Sequence, residues 1–330
     1  MRSVLTYLSR PDLFGELAGL KGQFYAVIDE QVKSHLPDWV LSAPGVFWIK
    51  TPESEKNLQT YEKAIQFFLH QGITRNSTIV AIGGGATTDL GGFIAATILR
   101  GLRWIAVPTT LLAMVDGSIG GKVAVNMAQG KNLVGAFHMP EQIFICRDFL
   151  QTLSDSEFES GKGEILKYGF LSTAIHSLIL QNASMDKIAH ACAEFKMQIV
   201  EKDFKEQGER IQLNLGHTLG HAFESTLKIS HGLAVAMGMK YLFKILDDQI
   251  ALSEWEKMVA ALGFPQEKLQ LSTYAHFNVE KFKNYLSLDK KKSDQSLKLV
   301  LVKEIGTYFV EEVTLKELMN KIEAYDEFNR

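Results

Sequence analysis

The chain has 330 residues, enough for two domains or one large one, each able to bury a core of its own. Hydrophobic residues make up 46% and charged residues 22%, the balance of an ordinary globular protein. The formal net charge of -3, without a long run of like charge, leaves no electrostatic case for a nucleic-acid or membrane partner. Cys146 and Cys192 are too few for a disulfide framework and lack metal-ligand spacing, so a reducing cytoplasmic location is expected.

Met1 to Arg10 lacks the continuous apolar stretch and small-residue cleavage site of a signal peptide. Phe24 to Ile28 predicts a buried strand ending at Asp29, an acid placed either to cap a turn or to accept hydrogen bonds from ribose hydroxyls. Val46 to Ile49 predicts a second strand, followed by Glu53 and Lys56 and an amphipathic helix from about Leu58 to Gln71. Thr78 to Ile82 runs into Gly83-Gly84-Gly85 and a helix expected over Ala86 to Arg100 that carries Asp89 and Gly91-Gly92. A strand, a glycine turn and a helix amino terminus make an anion cradle, because bare N–H groups and the helix dipole favour phosphate. The turn is not GxGxxG, so an ordinary Rossmann dehydrogenase is not indicated.

Trp104 to Val107 predicts another strand, and Pro108-Thr109-Thr110 leads into a short apolar helix ending at Asp116. The surrounding apolar region, Ile98 to Val115, is broken by Arg100, Arg103 and Pro108, which argues against a membrane span. Gly117 to Lys122 reads as a second glycine loop, and Lys122, Lys131 and Asn132 in the same polar segment suit an oxyanion. The alternation of strands and helices predicts an N-terminal α/β domain over residues 1–150 with a largely parallel sheet. From Ser154 helical periodicity takes over, predicting a mainly helical domain over 151–330, with strand-like runs nearly absent until Leu297 to Val302.

Within the second domain Glu164, Lys167 and Tyr168 lie within about one helical turn, among Gly161, Gly163 and Gly169. A helix from Ala189 to Lys205 leads to Glu206 and Arg210, and Ile211 to Leu215 and Leu233 to Leu246 are apolar enough for core helices. Asn214 to Glu224 places His217, His221 and Glu224 on one helix face, with Gly216 and Gly220 leaving backbone bare beside them; His231-Gly232 follows. Imidazole suits zinc and similar divalent ions. A working zinc site holds three protein ligands and an open position, with Glu164 the candidate carboxylate.

In this order the motifs resemble the 3-dehydroquinate synthase family of sugar phosphate cyclases. They are Gly83 to Asp89 with Gly92-Phe93 and Arg100-Gly101, Pro108 to Asp116, Gly120-Gly-Lys122, Gly130-Lys-Asn132, Gly135-Ala-Phe137, Glu164 to Gly169, Arg210 to Asn214, Gly216 to His221, and His231-Gly232. The resemblance implies Glu164, His217 and His231 as ligands of one Zn2+ or Co2+, with His221 beside the substrate as a proton-placing group. It implies NAD contacts from Asp29, Glu53, Lys56, Gly84, Gly85, Asp89, Thr109, Thr110, Asp116 and Lys131. Substrate contacts are implied for Arg100, Lys122, Asn132, Lys167, Lys196, Arg210, Asn214, His221 and Lys290 or its neighbour Lys291. Catalytic roles are implied for His221, Lys122, Lys167, Glu206 and Asn132. The implied reaction converts 3-deoxy-arabino-heptulosonate 7-phosphate, a phosphorylated sugar acid, to 3-dehydroquinate and phosphate, in a homodimer.

The chain departs from the family pattern in places. Leu233 stands where the family usually has Glu after His-Gly, Val123 replaces a usual Thr, Gly163 sits where Ala is common, and the segment before Phe24 looks short. An inosose- or valiolone-type cyclase would share the metal and NAD motifs but change carboxylate-binding positions, whereas Arg210 and Asn214 match the dehydroquinate pattern. A metal-dependent glycerol or alcohol dehydrogenase would share the layout, but Lys122, Lys131, Lys167 and Lys196 suit a phosphorylated acid. A non-catalytic relative would carry Leu233 as its mark.

Overall fold

The computed structural model describes residues 3–20, 23–288 and 296–328. Its contacts group into two compact units, Met1–Ser154 with Lys196–Lys205, and Asp155–Phe195 with Glu206–Arg330. No helix among the described residues is long and apolar enough to cross a membrane.

The first unit is built on six parallel strands: β1 (Val4–Tyr7), β2 (Tyr25–Asp29), β3 (Val46–Ile49), β4 (Thr78–Gly83) and β5 (Arg103–Pro108), with the sixth reached after a hairpin. That hairpin is β6 (Lys122–Met127) and β7 (Gly130–Phe137), and β8 (Gln142–Ile145) completes a sheet ordered β1-β8-β5-β4-β2-β3. β2 and β4 are almost wholly buried, which is why they read as continuous apolar runs rather than alternating ones. From β2 the chain moves outward to β3, whereas from β4 it moves the opposite way to β5. The sheet therefore reverses direction between β2 and β4, and their carboxyl ends, Asp29 and Gly83, border the crevice where open parallel sheets bind ligands.

The helix after β4 spans Gly85–Thr97 rather than reaching Arg100. Leu99 (φ 51°) and Arg100 (φ 70°) are left-handed, because the chain must swing into β5 within a few residues. Gly91 and Gly92 bring this helix hard against its neighbours: a Cβ at Gly91 would lie 2.6 Å from the Ala81 Cβ, and one at Gly92 would lie 2.4 Å from Val123. Gly117 to Gly121 turns the chain as read from sequence, but the polar stretch that follows, Lys122 through Lys131 and Asn132, is the antiparallel β6–β7 ribbon rather than loop. Its cause is a period-two pattern, Val123 and Val125 pointing inward between outward Lys122 and half-buried Ala124.

In the second unit the helices Asp155–Leu171, His217–Leu227 and His231–Ile245 pack together and carry the candidate ligands. An aromatic cluster of Phe223, Tyr241, Phe277, Phe282 and Phe328 fills the core behind them, with Phe223 and Phe282 centroids 4.6 Å apart. The stretch Ile211 to Leu215, expected as a core helix, belongs to a 3-10 turn, Glu209–Asn214, and the preceding helix runs Met185–Lys202. An antiparallel ribbon, β9 (Ser296–Glu304) and β10 (Thr307–Thr314), follows.

The helices bearing Glu164 and His231 cross at two glycines. A Cβ on Gly163 would meet the Gly232 carbonyl oxygen at 1.9 Å, and one on Gly232 would meet the Ser160 carbonyl at 1.7 Å. Gly163→Ala is therefore expected to push the two helices apart and to lower stability by about 1–3 kcal/mol, the usual cost of overpacking. Urea unfolding of the metal-free variant checks this; a midpoint equal to the parent's would contradict it.

Candidate functional site

Glu164, His217 and His231 converge, their ligand atoms all lying within 4.8 Å of one another. Glu164 lies mid-helix and is 1% exposed, while each histidine is the first residue of its own helix. Both imidazoles turn Nε2 toward one carboxylate oxygen: His231 at 3.0 Å and His217 at 3.4 Å from Glu164 Oε1. The other ring nitrogens are also engaged. His217 Nδ1 donates to the Leu215 carbonyl at 3.1 Å, an acceptor that fixes the tautomer and leaves the Nε2 lone pair for a ligand. His231 Nδ1 donates to Glu224 Oε2 at 2.9 Å. Two neutral-capable imidazoles and a carboxylate, oriented by further acceptors, fit a divalent metal of the zinc or cobalt type.

Charge organises the cluster. Burial pushes the Glu164 carboxyl up, but the Lys167 ammonium paired with it, helped by His217 and His231, holds it well below the usual carboxylate range. Burial opposes charge on His231, yet its bonds to Glu164 and Glu224 outweigh this and raise its pKa to about 10. His221 goes the other way. Although it opens to solvent on one side, desolvation by the surrounding protein and then the nearby His217 and His231 lower its pKa to about 4. Its ring centroid is 5.4 Å from that of His217, so a neutral base stands beside the ligand cluster at neutral pH.

In the first unit the glycine turn opens the helix Gly85–Thr97, with Gly84 as its cap residue and open space where a Gly85 side chain would be. The Thr110 methyl closes one side, 3.1 Å from where a Gly84 Cβ would lie, and Thr109 N–H donates to the Gly83 carbonyl. This leaves the first-turn N–H groups free of side-chain caps, the arrangement that suits the diphosphate of a dinucleotide. Lys56, buried, reaches Asp89 at 2.8 Å and Asn132 Oδ1 at 2.6 Å. Burial, only partly offset by Lys56, lifts the Asp89 pKa to about 6. Asn126 ties the group together by accepting from the Asn132 backbone and donating to Glu53, which Lys131 approaches at 3.9 Å.

Lys196 donates to both the carbonyl and the carboxylate of Asp116, and Asp29 uses Oδ1 to cap the turn at Gln31 N–H. Arg100 and Lys122 are exposed, Arg210 is 2% exposed, and Asn214 donates to Glu206 at 3.2 Å. Lys290 and Lys291 lie outside the described residues. Sequence reasoning missed Asn126, which nothing marked. It placed Glu224 on the His217 face without its bond to His231, although the i, i+7 spacing was the available signal.

A parallel sheet with a phosphate-suited glycine turn, followed by a helical unit with a Glu-His-His cluster, is the make-up of a metal- and nucleotide-using enzyme. Family models narrow this. The one described as 3-dehydroquinate synthase N-terminal matches residues 46–160, and the one described as 3-dehydroquinate synthase C-terminal matches 161–292. The 3-dehydroquinate synthase of Staphylococcus aureus strain Newman is 37% identical over 326 residues, covering 92% of this chain and 90% of that one. The chain belongs to the 3-dehydroquinate synthase family.

Solved structures with the same fold include the 2-epi-5-epi-valiolone synthase of Streptomyces hygroscopicus subsp. jinggangensis 5008, bound to NAD+ and Zn2+, with TM-score 0.83, 20% identity and coverage of 98% and 96%. A 2-deoxy-scyllo-inosose synthase complexed with carbaglucose-6-phosphate, NAD+ and Co2+ has TM-score 0.80 and 22% identity, with coverage of 96% and 95%. A probable glycerol dehydrogenase from Sinorhizobium meliloti 1021 is more distant, with TM-score 0.60, 14% identity and coverage of 100% and 98%.

With a His231 pKa near 10, the ring carries both protons in metal-free protein at neutral pH, and a metal at Nε2 must displace one of them. Zinc binding is expected to release at least one proton, so apparent affinity rises about tenfold per pH unit from pH 6 to 8. Calorimetry in buffers of different ionisation enthalpy checks this, and a pH-independent affinity would contradict it.

Proposed function

We propose that this chain is a 3-dehydroquinate synthase, a carbon–oxygen lyase that converts 3-deoxy-arabino-heptulosonate 7-phosphate to 3-dehydroquinate and inorganic phosphate. The observation that carries the reading is the Glu164, His217 and His231 cluster, whose ring nitrogens are pre-set for a metal, in a chain that follows a 3-dehydroquinate synthase relative over nine-tenths of its length. Gly84, Gly85, Thr109, Thr110 and the Glu53, Lys56, Asp89, Lys131 group would hold NAD, with Asp29 and Asp116 beside them. When bound, NAD supplies a reversible acceptor for a ring hydride, and the zinc or cobalt ion lowers the pKa of the reacting hydroxyls.

The chain's own residues do the rest. Arg100, Lys122, Asn132, Lys167, Lys196, Arg210, Asn214 and either Lys290 or Lys291 would bind the substrate's phosphate and carboxylate, with the arginines able to do so bidentately. A ketone formed beside the C–H acidifies it. His221, unprotonated at neutral pH because its pKa lies near 4, is suited to receive a proton as the phosphate leaves. Glu206, held to Asn214, is a second candidate for proton transfer. The hydride is given back to the ketone carbon after phosphate has left, the opened sugar closes by an intramolecular aldol step, and no reductant is consumed overall. A homodimer in the cytoplasm is part of the same reading.

Purified protein with NAD, assayed before and after chelation and zinc or cobalt add-back, is expected to release phosphate and form dehydroquinate without net NADH. Phosphate retained despite bound metal and NAD would overturn the reading. NADH accumulating with a simple polyol would favour the dehydrogenase relatives.

A further inference from the structure

We infer that Glu224 is the positioning residue of the metal centre, fixing the ring of His231. The inference rests on reading Glu164, His217 and His231 as metal ligands. The two histidines enter the site in the same way, each as the first residue of a helix, yet they are anchored differently. His217 Nδ1–H meets the backbone carbonyl of Leu215, two residues back, an acceptor that no substitution removes. For His231 the acceptor is a side chain, the Glu224 carboxylate at 2.9 Å, seven residues earlier. The bond is charge-assisted and directional, so it holds the plane of the ring while Nε2 faces Glu164 at 3.0 Å.

The chain trace makes this arrangement possible. Glu224 is two helical turns after His217 on the same face of His217–Leu227, so one helix both carries the first histidine and clamps the second. Lys228, at φ 56°, ends that helix with its N–H on the Glu224 carbonyl and turns the chain back, bringing His231 opposite Glu224. Two residues beyond His231 stands Leu233, only 5% exposed and without an acceptor on its side chain. Among the described residues, the carboxylates ion-paired to His231 are Glu164, itself a ligand, and Glu224. Because Glu164 takes the Nε2 side, orientation of the His231 ring from its Nδ1 side falls to Glu224.

The test is zinc affinity of the full chain by competition with a chromophoric chelator, with the visible spectrum of the Co2+ form as a readout of ligand geometry. Glu224→Ala is expected to weaken zinc binding by roughly 10–100-fold, the range for losing the partner of a ligating histidine, and to alter the cobalt spectrum. Glu224→Gln, isosteric and keeping an acceptor oxygen, is expected to lose less; it decides the matter if the alanine variant does not fold by circular dichroism. Affinity within about twofold of the parent with an unchanged cobalt spectrum, in the alanine variant or, where that does not fold, in the glutamine variant, would overturn the inference. Zinc binding absent from the parent, or unaffected by Glu164→Gln, would instead overturn the metal reading on which it rests.

Discussion

The structure of the second unit depends on one buried negative charge. Glu164 sits in a helix whose surroundings exclude water, and a lone carboxylate there would carry a heavy desolvation penalty. The fold meets it with Lys167 one turn away and two imidazoles from other helices, which is why the carboxyl stays ionised. The histidines have locations fixed by something else, His217 by a carbonyl and His231 by Glu224, and the Glu164 and His231 helices are set by the glycine crossing that lets Gly163 and Gly232 touch. A cluster that solves its own electrostatic problem in this way already has three donor atoms facing one point.

The first unit solves a different problem with related means. Glycines at 91 and 92 seat a helix directly on the sheet, and the reversal between β2 and β4 opens the end of that helix above Gly84 and Gly85. The buried Lys56 links Asp89 on that helix to Asn132 on the hairpin, so the region suited to a dinucleotide is joined by charge rather than by loop contacts alone. Asp89, with its pKa lifted to about 6, is held in a balance between burial and this lysine.

Much of this was legible from sequence because the local signals and the tertiary structure agree. The apolar runs of β2, β4 and β5 announced a parallel sheet, GGG announced a strand-to-helix turn, and the spacing of His217, His221 and Glu224 put three polar groups on one face. What was illegible depended on long-range geometry. The end of the helix at Thr97 follows from left-handed Leu99 and Arg100, two residues with no intrinsic preference for that conformation. The β6–β7 ribbon hid behind its glycines and lysines, though Val123 and Val125 carried the alternation. Asn126 has no motif at all, and the pairing of Glu224 with His231 needed the turn at Lys228 to be known.

The most direct test of this account is anomalous diffraction from crystals of the protein grown with zinc. It predicts one strong peak per chain about 2.0–2.2 Å from Glu164, His217 Nε2 and His231 Nε2. Bound zinc whose peak lies away from these three side chains would contradict it.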